Sequence, residues 1–322
     1  MVISVPSSRG GGVIAPADLR VLAAVGRFVY LTARQVARRL YAETSLSYAQ
    51  ARLKRLADAG YLERRFLPRP ARTGSAPIVY AVSRQGTRAL AACGQPHATA
   101  LRPAGASYLF FAHTLALNDL LIAIERWCCH QPRLDLLEWR HERLLRHQPL
   151  FVRLADGRSA TVVPDAWINL RVDRRLQVCY LVELDRGTTG QGAWRRKVAA
   201  LLAAASGPYQ ARFGTRSLTI LVLATPGARR RDALLRWTET ELTAQGRGGD
   251  ADLFRFSGES ASIVRPHDLV QNVSWARPFG GAQQSLAEMS AIADGRDLSD
   301  TSAMAVSEER SDPYEITEGG RL

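Results

Sequence analysis

Between Val178 and Lys197 an apolar run ends in Glu183-Leu184-Asp185, crosses a glycine-rich loop from Arg186 to Gly192, and enters a helix-forming stretch holding Lys197. A short apolar run bounded by loop residues reads as a buried strand, and the stretch after it has helical periodicity. A buried strand feeding a helix constrains the architecture to a sheet covered by helices. Upstream, a second apolar run arrives at Val163-Pro164-Asp165. Two strands thus bring acids to one sheet edge with a lysine close behind, a set of groups suited to metal-assisted phosphodiester chemistry.

A chain of 322 residues has room for two domains and some unstructured margin. At 46% hydrophobic residues it can bury a core. The net charge is +13, which favours an anionic partner. That charge is uneven: residues 1–90 carry +11 and residues 288–322 carry −6. Only Lys54 and Lys197 among the 43 basic residues are lysine, a bias that fits GC-rich coding and draws attention to both. The cysteines (Cys93, Cys128, Cys129, Cys179) show neither metal-ligand spacing nor a disulfide framework. No signal pattern opens the chain and no stretch reaches about 18 apolar residues, so a cytoplasmic protein without a membrane partner is expected.

Residues 1–15 are Ser/Gly-rich and expected to be flexible. Helices are predicted over Asp18–Arg27, over Ala33–Tyr41 with Thr32 as N-cap, and over Leu46–Ala59 with Ser45 as cap and Gly60 as terminator. In the third helix Leu46, Ala49, Leu53, Leu56 and Ala57 form an apolar side. The opposite side gathers Ser47, Tyr48, Ala51, Lys54 and Arg55, small or donor groups that suit a major groove. Tyr61–Phe66 and Ile78–Val82 form a hairpin with Arg69 and Arg72 at its tip for phosphate contacts, and a helix over Arg84–Cys93 closes the module. Residues 16–95 resemble a winged helix-turn-helix domain for double-stranded DNA.

After a linker over residues 96–108, the second domain spans 109–280, followed by an acidic tail, 281–322, expected to be disordered. A helix over Phe110–Cys129 leads to strands at Leu134–His141, Thr161–Val172 and Gln177–Leu184. A helix (Ala193–Ala205), a strand (Leu218–Ala224), a helix (Arg230–Thr243) and a strand near Leu253–Phe256 follow. The expected class is α+β / α/β. The order resembles the PD-(D/E)XK restriction-endonuclease-like fold, a mixed sheet flanked by helices. Pro164-Asp165 stands at that superfamily's PD and Glu183 at its (D/E). The resemblance implies a divalent ion, Mg²⁺, on Asp165 and Glu183, with Asp185 as a third ligand and Lys197 beside the attacking water. At the second position after Glu183, where the superfamily carries lysine, stands Asp185, and Lys197 on the next helix takes the lysine's part.

The layout also resembles the replication-relaxation family of bacterial plasmids and integrative elements. It does so through the basic head, His113-Thr114-Leu115-Ala116-Leu117-Asn118-Asp119, Pro164-Asp165, and Glu183-Leu184-Asp185-Arg186-Gly187-Thr188 followed by Lys197. That likeness implies plasmid replication, DNA relaxation or mobilisation, with a relaxase, a replication initiator or no protein as partner. The alternatives are a non-catalytic replication or transfer factor on a nuclease-like scaffold and a transcription regulator. The glycines at 187, 190 and 192 do not match G-x-G-x-x-G, and no G-K-[ST] follows them.

Overall fold

Pro16 opens the first helix, where its missing N–H costs nothing and its fixed φ is already helical. The computed structural model describes residues 14–42, 44–67, 78–95, 108–258 and 275–284. These divide into two compact units, with the boundary between Asn118 and Asp119. Arg69, Arg72, most of the linker, residues 1–13 and the tail from 285 lie outside the described residues.

In the first unit α1 (Pro16–Phe28) leads to a two-residue strand, β1 (Leu31–Thr32), then α2 (Ala33–Leu40) and α3 (Leu46–Asp58). Thr32 caps α2 reciprocally: its Oγ1 accepts from the Gln35 N–H at 3.2 Å, and Gln35 Oε1 accepts from the Thr32 N–H at 3.1 Å. Ser45 precedes α3 without a side-chain capping bond. Gly60 ends the helix at φ +79°, a left-handed conformation that favours glycine. Strands β2 (Leu62–Phe66) and β3 (Ile78–Val82) follow, then α4 (Arg84–Ala92). β3 pairs antiparallel with both β2 and β1, giving a three-stranded sheet. The sequence contains no signal for β1, because two residues are too short to show a period.

Helix α5 (Tyr108–His130) begins in the first unit. There Phe111 packs edge-on against Tyr30, and buried Asn118 donates from Nδ2 to the carbonyls of Phe28 (3.0 Å) and Tyr30 (2.6 Å).

The second unit, from Asp119, contains β4 (Leu134–His141), α6 (Glu142–Leu145), β5 (Leu150–Arg153), β6 (Ser159–Val162), β7 (Ala166–Val172) and β8 (Leu176–Asp185). It continues through α7 (Gln191–Ala205), α8 (Pro208–Phe213), β9 (Thr219–Ala224), α9 (Ala228–Ala244), β10 (Phe254–Ser257), β11 (Trp275–Arg277) and β12 (Gly281–Gln284). The molecule is therefore a mixed α and β protein. Its main sheet runs β12-β11-β10-β9-β8-β7-β4, parallel where β9 meets β8 and β10, antiparallel elsewhere. Every residue from Val178 to Asp185 is buried, as a central strand covered on both faces requires. Cys179 and Leu181 on one face of β8 share a core with Trp194, Val198 and Leu201 of α7.

Two expectations are corrected. The strand expected over Thr161–Val172 is two, β6 and β7, in different sheets; the break falls at Val163-Pro164-Asp165, where proline has no N–H for a ladder. Asp165 therefore stands at the entrance of β7. And the sheet reaches Gln284, since Gly281–Gln284 pairs with β11 inside the stretch expected to be a disordered tail. Among the described residues no helix is long and apolar enough to cross a membrane.

Candidate functional site

The register of β7 on β8 aligns Ala166 with Val182. One residue further, Asp165 bonds on both sides of Glu183: its N–H donates to the Val182 carbonyl at 3.0 Å, and its Oδ2 accepts from the Leu184 N–H at 2.7 Å. A carboxylate held by a backbone donor cannot rotate freely, so Asp165 is fixed beside Glu183. Both are buried, at 7% and 1% exposure.

Alternation along β8 turns Glu183 to the face of Cys179 and Leu181, the face that α7 covers. Lys197 lies one turn from core-facing Trp194 and Leu201, at the flank of that stripe, and its ammonium pairs with Glu183. The lysine side chain keeps 36% of its exposure, so the pair opens to solvent on the lysine side. Burial by itself would lower the Lys197 pKa; Glu183, then Asp165 and Glu142, outweigh it and hold the ammonium above its ordinary value.

Glu142 is the site residue the sequence reading missed. It starts α6 directly after β4, and its N–H donates to the Asp165 carbonyl at 2.7 Å. Its carboxylate also pairs with Arg146, and a carboxylate oxygen of Glu142 lies within 4.8 Å of one of Asp165. A strand-to-helix junction ending in an acid, His141-Glu142, was the available signal. The pairing of β4 with β7, which carries it to Asp165, is not written in the local sequence.

Asp185, expected as a third ligand, has a set of partners of its own. Its carboxylate accepts from Arg230 Nε at 2.6 Å, Arg230 NH2 at 3.0 Å and the Gly187 N–H at 2.7 Å. Burial pushes its pKa up, but the Arg230 and Gly187 bonds prevail and hold the carboxyl below its usual value. Arg230 also donates to the Thr189 carbonyl at 2.5 Å, so this pair closes the loop between β8 and α7. That loop supplies no side-chain cap to α7. Asp185 thus has a structural partner, 45 residues away.

In the first unit the expected face of α3 is exposed: Ser47, Tyr48, Ala51, Lys54 and Arg55 all face solvent. Its charge is partly neutralised. Lys54 pairs with Asp58 at 2.6 Å, and Arg55 with Asp18 of α1 at 2.5 Å. Arg52, absent from the expected set, stacks on the Tyr48 ring at 4.5 Å, bonds its hydroxyl, and reaches Asp18 at 2.8 Å. Its spacing of four from Tyr48 was a legible signal.

The family model described as replication-relaxation matches residues 22–217, more than half of the chain. No curated protein and no solved structure matches it.

Proposed function

The chain belongs to the replication-relaxation family, and from that premise we propose a DNA-processing protein of plasmid or mobile-element replication, relaxation or mobilisation. The first unit acts as a winged helix-turn-helix head on double-stranded DNA, with α3 in the major groove. Its support is the exposed run of small, hydroxyl and basic side chains on α3 and a basic surrounding chain. The second unit is a PD-(D/E)XK nuclease-like domain that nicks DNA.

One observation carries the catalytic reading: Asp165, at the entrance of β7, is held beside Glu183 of β8, and the Lys197 ammonium of α7 pairs with Glu183. The donors are hard carboxylate oxygens, which fit Mg²⁺. Asp165 and Glu183 would hold it, with Glu142 beside Asp165. Bound there, the ion would polarise a phosphoryl oxygen and acidify a water. Lys197, whose ammonium sits against Glu183, would face negative charge developing at the phosphate. Asp165, restrained by the Leu184 N–H, fixes the geometry of the acidic pair.

The non-catalytic alternative has one observation in its favour: Lys197 already neutralises Glu183, so this carboxylate needs no metal for charge balance. Incubating supercoiled plasmid with the full chain and Mg²⁺, beside Asp165→Ala and Glu183→Ala, separates the two. Open circles formed by the parent and by neither variant support the nuclease. Equal traces in all three leave the scaffold.

A further inference from the structure

The segment between Glu142 and Asp165 is an arm of its own. Among the described residues, strands β5 and β6 pair only with each other, as a two-stranded sheet outside the main one. One face is buried: Leu150, Val152 and Val162 belong to the core beneath α7. The other face is a two-by-two array in which Phe151 pairs with Thr161 and Arg153 with Ser159, all four exposed. Phe151 is 73% exposed, the most of any large apolar side chain among the described residues. A single exposed phenylalanine is ordinary; one set in a row with a guanidinium and two hydroxyls is a stacking surface beside donors for phosphate and sugar.

The surroundings fit an anionic strand. The tip of the hairpin, Asp156 and Arg158, faces Gly192, Arg195 and Arg196 of α7 across a cleft of about 370 Å³. Arg158 and Arg195 are paired with Asp156 and Glu241. Arg153, on the exposed face beside Phe151, has no carboxylate partner among the described residues. Both ends of the arm are tied to the acidic site, through Glu142 at one end and Asp165 at the other.

We propose that the exposed β5–β6 face is a platform for single-stranded DNA, on which Phe151 stacks an unpaired base and Arg153 holds a flanking phosphate. A duplex hides its base faces within the stack, so an aromatic ring fixed on a hairpin favours a melted or nicked strand. This rests on the DNA-processing reading above and adds to it the strand form presented to the acidic pair.

The test uses the full chain in EDTA, so that binding is read without cleavage. A fluorescent thymidine 15-mer is titrated by anisotropy against the parent, Phe151→Ala, Arg153→Ala and Phe151→Trp. Loss of one base stack should weaken the strand about tenfold in Phe151→Ala, and Phe151→Trp should restore it. Arg153→Ala should weaken it and flatten its salt dependence. Affinity for a duplex 15-mer should be unchanged in Phe151→Ala. Equal strand affinity in parent and Phe151→Ala overturns the proposal, as does tighter binding of a uridine 15-mer. A dimer that Phe151→Ala dissolves with strand affinity intact overturns it too and marks the face as a contact between copies. A parent that fails to nick plasmid yet binds the strand through Phe151 keeps this proposal and removes the nuclease one.

Discussion

Arg230→Met offers a quantitative test of the structural part given to Asp185. The Asp185 side chain is 2% exposed and that of Arg230 16%, and two of the carboxylate's three bonds come from this guanidinium. Removing one partner of such a pair leaves a buried charge with a single backbone donor, a change that costs about 3–5 kcal/mol. The loss belongs to the second unit, whose β8–α7 loop Arg230 also ties through Thr189. With a urea slope of about 2–3 kcal/mol per molar for a unit of this size, the second unit's midpoint should fall by about 1–2 M. Circular dichroism during urea titration reads this. Asp185→Asn keeps the shape without the charge, should cost less, and should leave nicking per folded molecule near the parent's. The sign in pH follows from the lowered folded pKa of Asp185. Its contribution is complete above the unfolded value of about 3.9 and is lost as pH falls through the folded value below it. In Arg230→Met that part of the acid sensitivity should disappear. An unchanged urea midpoint in Arg230→Met, with Asp185→Asn fully folded but unable to nick, would refute the structural assignment and return Asp185 to the metal.

Two further outcomes are expected. Asn118→Ala removes two bonds to buried carbonyls of the first unit and should destabilise that unit by about 1–3 kcal/mol, read as a lowered melting temperature. Burial pushes the Cys128 thiol up to about 12 and that of Cys179 up to about 11, whereas the neighbouring Cys129 is exposed. A disulfide reagent at pH 8 should therefore modify Cys129 in the native protein and reach Cys128 and Cys179 only after unfolding.

Much of this architecture could be read before any coordinates, because helix and strand periods are local. The α3 face from Ser47 to Arg55, the run into Glu183 and the helix carrying Lys197 each declare themselves within a dozen residues. What the chain does not write locally is pairing. Pro164 splits one expected strand into two, and only the separate two-stranded sheet turns Phe151 outward as part of an arm. The glycine-rich segment after Asp185 shows a loop, yet not that Arg230, from another helix, closes it.

The same limit separates the acids. Their positions at strand ends follow from the sequence, since buried runs must stop where charge begins. Which cation each one meets does not, because that depends on register and helix packing between residues far apart in the chain. Asp185 and Glu183 lie two positions apart on one strand face, but one is bound by Arg230 and the other by Lys197. Glu142, whose place at a strand-to-helix junction was legible, reaches Asp165 only because β4 lies against β7. Tertiary packing decided the membership of the site.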